Sequence, residues 1–396
     1  MSDRLLHVVD WGGAIGNPFG SGAYVVVPNE HNITRFNLLA KRRNLNVEAW
    51  FTGRAPNGLA PKLPESEWVF KHRWVPTVFF PGGRISVPVP LFPNGKPDVY
   101  LSSYAEPSLL CVWAIVGLLG LKRALYLEAT SSAWFHRTRL KEAIKHRIIP
   151  NADAILTQGP DGAKYVRSYG ASAERIHHVR YGFPLDVWDR DRQFAWHERD
   201  SLRADLGLIG TTFIYVGRLW KGKGLDYLLE AFATVEASHR GQVSLLAVGS
   251  GPDERRLRRR VRDLGCERVI FTGHVNDTAK LAAIYSAADV FVFPSLGDPY
   301  GVVLDEAMAC HLPIIASSGI GEVKLRVHEG DNGFVVPPRD SLALADRMQR
   351  FVTQPDLRSR MGERSRHLIE AQTLQRWAND FETAMERIAL SAYRSQ

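Results

Sequence analysis

Short apolar runs alternate with amphipathic stretches along most of the chain, the pattern of strands separated by helices. In the first half, Leu5–Val9, Asn46–Phe51, Asp98–Ser102, Ala124–Leu127, Ala152–Thr157 and Ile176–Val179 read as strands. Between them, Thr34–Arg43 puts Phe36, Leu39 and Ala40 on one side of a helix, with Thr34 placed to cap it. Ala105–Leu119 reads as an apolar helix and Asp161–Tyr169 as a helix ending at Gly170. Arg137–Ile149 reads as a basic amphipathic helix with Leu140, Ile144 and Ile148 on its apolar side. Residues 53–96 are rich in Pro and Gly and offer only short strand pieces such as Val75–Phe80. In the second half, Thr212–Val216, Val243–Val248, Val269–Phe271, the run ending at Pro294, the run after Cys310 and Gly333–Val336 read as strands. Helical patterns separate these strands, and from Ser341 onward the chain reads as helical. Such alternation in both halves, with no internal repeat, predicts two doubly wound α/β domains.

Composition fits that division. A chain of 396 residues is long for one ordinary core. The polar stretch 186–200 reads as an irregular linker, giving domains at 1–185 and 201–373. A net charge of +8 suggests an anionic partner: nucleotide phosphates, anionic lipid or nucleic acid. The Arg-rich helix Glu254–Leu264 lacks interleaved aromatics, so a solvated face explains it without nucleic acid. The basic helix within 137–149 has two readings, a solvated face packed on the sheet or a peripheral contact with anionic membrane. The three cysteines, Cys111, Cys266 and Cys310, have no metal or disulfide spacing. With no basic-then-apolar pattern at the N-terminus, a cytoplasmic setting is expected. The uncharged run Leu109–Leu121 falls short of the roughly 20 residues that span a bilayer, which favours a buried helix.

The chemistry concentrates in Phe291–Glu322, FVFPSLGDPYGVVLDEAMACHLPIIASSGIGE. An apolar run ends in Pro294, a loop follows, and a helix from about Val302 to Cys310 begins directly after Tyr300 and Gly301. Free N–H groups and the positive helix end gather there, which suits a phosphate. Asp298 and Glu306 flank that point, and both accept hydrogen bonds from sugar hydroxyls. A second phosphate-binding layout is the strand Thr212–Val216, followed by Gly217-Arg218-Leu219-Trp220-Lys221-Gly222-Lys223-Gly224 and a helix; its spacing is not that of a P-loop. Glu128 stands at the C-terminal end of a strand, the edge where doubly wound sheets bind ligands. It is a candidate to take a proton from an acceptor hydroxyl, or to hydrogen-bond it. Gly12 and Gly13 follow the first strand and allow close approach of backbone to ligand. Asp189 and Asp191 form an Asp-x-Asp, but in the charged linker, so no metal is expected there.

Phe291–Glu322 resembles the E-x7-E signature of the retaining GT-B glycosyltransferases of family 4, the group 1 glycosyltransferases. Glu306-Ala307-Met308-Ala309-Cys310, Leu312-Pro313 and Asn332-Gly333 match the same pattern. The loop after Val216 resembles the family's G-R-L-x3-K-G motif, with Arg218 and Lys223 matching position for position. The likeness runs over roughly residues 150–370. Three positions depart from it: Asp298 stands where Glu is usual, His311 where Gly is usual, and Gly321 where Pro usually precedes Glu322. The resemblance implies a GT-B fold, two Rossmann-like domains facing across a cleft, with a last helix within 374–396 crossing back to the first. It implies transfer of a sugar with retention, from a nucleotide-sugar donor (UDP- or GDP-sugar) to a saccharide, lipid-linked or small-molecule acceptor, without metal or other cofactor. Arg218 and Lys223 would hold the diphosphate, and Gly217 would belong to its loop. Tyr300, Gly301, Val302 and Val303 would offer it backbone N–H groups. Asp298 would orient the sugar, Glu306 the ribose, and His274 and Val275 would lie beside the base. Gly12 and Gly13 would lie near the donor phosphates, and Glu128 would face the acceptor where related enzymes carry a His-Asp pair. Three other readings remain, all ranked below the transferase: a sugar-nucleotide epimerase of the same fold, a non-catalytic nucleotide-binding paralogue, and a nucleic-acid binder using the Arg255–Arg262 helix with steep salt dependence.

Overall fold

The computed structural model describes residues 6–10, 30–51, 64–74, 77–80, 83–86, 97–102, 108–128, 130–131, 139–196 and 198–393. The chain divides into two compact units. One comprises residues 1–129, 137–182 and 374–396, the other residues 130–136 and 183–373.

The N-terminal unit holds strands β1 (Leu6–Asp10), β2 (Leu45–Phe51), β3 (Lys71–Trp74), β6 (Val99–Ser102), β7 (Lys122–Leu127), β8 (Ala154–Thr157) and β9 (Ile176–His178) in one sheet. Their order is β3-β2-β1-β6-β7-β8-β9, and every pair is parallel. The antiparallel pair β4 (Thr77–Phe80) and β5 (Gly83–Ser86) stands apart from it. One sheet face buries Phe36 and Leu39 of the helix Glu30–Ala40 and Trp377, Phe381 and Met385 of the last helix, Leu374–Tyr393. The other face packs on Trp113, Ile148, Tyr165 and Val166. The apolar helix is therefore a core helix, Ser108–Leu118, with Val116 and Trp113 buried and Leu118 left 88% exposed. Among the described residues, no helix is long and apolar enough to cross a membrane.

The C-terminal unit has strands β10 (Thr211–Val216), β11 (Val243–Val248), β12 (Val269–Gly273), β13 (Val290–Phe293), β14 (Ile314–Ser317) and β15 (Gly333–Val336). They are all parallel, in the order β12-β11-β10-β13-β14-β15. The interior strands are buried along their whole length, as the unbroken apolar runs require of a sheet covered on both faces. Strand order reverses between β10 and β13. Their loops thus open the crevice where doubly wound sheets bind ligands.

The stretch 186–200 is helical rather than irregular, folding as Leu185–Trp196 and Arg199–Asp205. Its few apolar residues decide this. Leu185 and Trp188 are buried in the core of the C-terminal unit, while Arg199 and Arg203 reach Asp289 at 2.8 and 3.4 Å. Asp189 of the Asp-x-Asp pairs with Arg366 at 2.9 Å.

Candidate active site

The site forms where the loops after β10 and β13 meet. Gly222 O accepts the Leu296 N–H at 2.9 Å, so the two loops are bonded backbone to backbone. Gly224 closes a turn over Lys221–Lys223 at φ +73°; a Cβ there would lie 2.0 Å from Pro294 O. Only glycine combines that dihedral with that approach. The turn delivers Lys223 to the second loop, where its Nζ forms an ion pair with Asp298 Oδ2 and lies 5.3 Å from the Phe293 ring centroid.

Asp298 is 8% exposed and held from several sides. Its Oδ1 accepts the Tyr300 N–H at 3.1 Å, its own N–H donates to Gly319 O at 3.1 Å, and its carbonyl accepts the Gly321 N–H at 2.8 Å. The Tyr300 N–H, expected to serve a phosphate, is engaged by Asp298 in this structure. The N–H groups of Gly301, Val302 and Val303 bond to no described residue at the start of the helix Val303–Ala309. Gly301 takes φ +76°, and Tyr300 is buried with its hydroxyl donating to Gln372 Oε1 at 3.1 Å. Gly321 stands where the resembled pattern has Pro because it is packed: a Cβ would lie 2.2 Å from Pro299 O. His311 adopts the left-handed φ of 58° that ordinarily favours glycine.

Glu306 lies in the first turn of that helix, and the buried Tyr285 donates its hydroxyl to Glu306 Oε2 at 2.8 Å. Burial pushes the Glu306 carboxyl up to about 7, against the lowering effect of the Tyr285 hydrogen bond. Arg218 projects into solvent on the same loop as Lys223. The Gly217 N–H is engaged by Val248 O at 3.0 Å, and a Cβ on Gly249 would come 2.0 Å from Gly217 O; Gly217 serves loop packing. His274 and Val275 follow β12, an edge strand two positions from β10; His274 is exposed and Val275 packs partly against the core.

A residue that sequence reasoning missed braces this arrangement. Arg326, 1% exposed, donates to the carbonyls of Tyr300, Gly301 (3.0 Å) and Gly321 (3.0 Å). Its guanidinium lies 3.9 Å from the Tyr300 ring centroid and 3.5 Å from the buried Asp305 carboxylate. Burial raises Asp305 to about 6, and Arg326 opposes that shift. A lone arginine between Leu325 and Val327 gives no signal of this in sequence.

Glu128 belongs to the N-terminal unit, directly after β7. Burial raises its carboxyl to about 7, with the charge of Arg35 acting the other way. Gly12 and Gly13 lie outside the described residues. The helix Arg139–Ile148 packs Ile144 and Ile148 into a core cluster, so that part of its apolar side is used within the protein. In the Arg-rich helix Glu254–Asp263, three of the six arginines are in ion pairs: Arg256 with Asp226, Arg258 with Glu254, Arg260 with Glu230.

Residues 200–368 match the family model described as "Glycosyl transferases group 1". An uncharacterized glycosyltransferase of Methanocaldococcus jannaschii is 34% identical over 164 residues, 40% of this chain and 41% of the relative. The alpha-D-kanosaminyltransferase of Streptomyces kanamyceticus is 29% identical over 252 residues, 62% of this chain and 64% of the relative. The chain thus spans less than two thirds of the length of these curated relatives. HepE from Anabaena, solved in complex with UDP, superposes with a TM-score of 0.73 over 97% of this chain and 100% of that one, at 16% identity. The fold is accordingly that of the GT-B glycosyltransferases, two Rossmann-like domains with parallel sheets, and residues 200–368 are similar to the group 1 glycosyl transferases.

Proposed function

We propose that the protein is a retaining, metal-independent glycosyltransferase of family 4. It moves a hexose from a UDP- or GDP-sugar to a hydroxyl of a saccharide, a lipid-linked saccharide or a small molecule. The observation that carries this reading is the Lys223–Asp298 pair at the switch point between β10 and β13. It puts a cation and a hydroxyl-accepting carboxylate at one spot, with the cation of Arg218 on the same loop. Glycosyl transfer leaves a nucleoside diphosphate, and negative charge grows on the leaving oxygen in the transition state. Fixed positive charge aimed at that oxygen stabilises it. In this reading Lys223 turns from Asp298 to the diphosphate when donor binds, and Asp298 turns to the sugar hydroxyls. The N–H groups of Gly301, Val302 and Val303 add donors, Glu306 accepts from the ribose, and His274 and Val275 border the base. The acceptor oxygen attacks the anomeric carbon on the face the diphosphate leaves, and the leaving phosphate helps take its proton. Glu128 serves the acceptor in the N-terminal unit. We place the enzyme in the cytoplasm, with the basic face of Arg139–Ile148 available to an anionic membrane surface.

Thermal stabilisation by UDP, GDP, ADP and dTDP at equal concentration tests the donor site. A nucleotide at a hundred times its dissociation constant adds about 2.7 kcal/mol of stability. One nucleotide should shift the wild type clearly, and Lys223→Ala should abolish that shift. A protein that responds to none of the four rules out the diphosphate site.

A further inference from the structure

The N-terminal unit carries a second polar site on its own sheet edge. Strands β7 and β8 are neighbours, paired in register at Leu127↔Thr157. Glu128 and Gln158 follow directly on that pair, each the first residue beyond the end of its strand. Gln158 is 4% exposed, and its Nε2 has no hydrogen-bond partner among the described residues; Glu128 Oε1 is likewise buried without one among them. Leaving a buried polar group unsatisfied destabilises the fold, and here two such groups directly follow paired strand ends. The one charged group acting on Glu128 among the described residues is Arg35. Its buried guanidinium is held between the rings of Tyr181 (4.3 Å) and Trp377 (4.9 Å), and it donates to Gly182 O at 3.4 Å.

An amide N–H₂ only donates and an ionised carboxylate only accepts. The group that satisfies both is one that accepts and donates at a single oxygen, a hydroxyl. We propose that Glu128 and Gln158 together hold one hydroxyl of a neutral polyol acceptor, Gln158 Nε2 donating to its oxygen and Glu128 accepting the hydrogen bond from its O–H. The proposal rests on the glycosyltransferase reading and adds Gln158 and the acceptor class to it. A phosphate or carboxylate acceptor group is disfavoured, because Glu128 would face it.

The test measures nucleoside diphosphate release from UDP-glucose and GDP-mannose with added methyl glucoside, methyl mannoside or myo-inositol. It uses the wild type, Gln158→Leu and Gln158→Glu, with UDP and GDP affinities measured in parallel. In the wild type at least one polyol should accelerate release. Both variants should raise the polyol KM by about tenfold or more, as expected when a group that hydrogen-bonds a substrate hydroxyl is lost. Their nucleotide affinity should not change. Two different substitutions separate loss of the amide donor from a fault in folding, which the melting temperature of each reports. An unchanged polyol KM in either folded variant overturns the proposal. So does a wild type that binds nucleotide but whose release no polyol accelerates. A wild type that binds neither UDP nor GDP overturns the transferase reading itself, and the proposal falls with it.

Discussion

The two units share one sheet plan but differ in how their C-terminal edges are finished. In the C-terminal unit the main polar side chains of the site loops have partners, Lys223 with Asp298, Tyr285 with Glu306, Arg326 with Asp305 and three carbonyls, while Arg218 is exposed and Arg326 Nε and Asp305 Oδ2 have none among the described residues. In the N-terminal unit Glu128 Oε1 and Gln158 Nε2 are buried and have no hydrogen-bond partner among the described residues. A site whose charges neutralise one another folds without its ligand and opens by exchanging partners. Buried polar groups left unsatisfied are costly, and a ligand that completes them offsets that cost. The contrast suits a donor site that is pre-assembled and an acceptor site that its substrate finishes.

The strongest way to break this comparison is to remove the brace. Arg326→Met leaves Asp305 buried without its cation, and breaking one half of a buried pair costs about 3–5 kcal/mol. Urea unfolding should show a loss of that order. Asp305→Asn in the same chain should recover part of it, because the orphaned charge is what makes the single change severe. A loss below about 0.5 kcal/mol, the range of ordinary surface substitutions, would mean that Arg326 does not hold the loop.

The next effect is catalytic. Lys223→Ala should lower turnover by roughly tenfold to a thousandfold, as for one lost electrostatic contact to the transition state. Adding Asp298→Asn sharpens the point. If Lys223 only neutralises Asp298, the double variant regains activity; if it serves the diphosphate, the double variant stays as slow as the single one or slower.

Those two tests mark where the sequence was readable. Parallel strands covered on both faces are continuous apolar runs, so the strands of both sheets showed in the pattern except the edge strand β3, whose Lys71-His72-Arg73-Trp74 is not apolar. Lys223 and Asp298 were each visible from their loops, but not as a pair, because 75 positions separate them and only the β10–β13 adjacency joins them. Arg326 was invisible for a related reason: its partners are backbone carbonyls, and any sequence supplies those. The stretch 186–200 misled because its charges outnumber its apolar residues, whereas burial of Trp188 settled its helix. At Gly321 and His311 the departures from the familiar pattern were visible in sequence, but their setting, a packed glycine and a left-handed histidine, was not.

Glu128 gives a pH-dependent prediction. Burial raises its folded value to about 7 from 4.5, with Arg35 opposing. The folded state therefore binds the proton more tightly than the unfolded chain does. Any stability this group contributes is complete below about pH 4.5 and is lost as pH rises through about 7. Glu128→Gln removes the titration. Its stability relative to wild type should rise across that window by something on the order of 1–3 kcal/mol and level off above it. Parallel curves for the two proteins from pH 4.5 to 8 would mean that Glu128 is solvated and unperturbed, and the contrast between the two edges would weaken with it.

The smallest effect concerns charge that is paired but exposed. Arg256 bonds Asp226 through both guanidinium branches and also reaches Asp253 at 3.2 Å, on the helix whose arginine run dominates the basic character of that stretch. Partnering alone does not make such a contact strong, because water screens it and both side chains are ordered to make it. Exposed pairs measure about 0.2–1 kcal/mol, so Arg256→Ala should fall in that range and shrink further in high salt. Arg326→Met, by contrast, should keep most of its loss in the same salt series, because its partners are out of reach of ions. If the two variants respond alike to salt, burial is not what separates the braced loop from the surface helix, and the reading of the C-terminal edge as pre-assembled loses its physical basis.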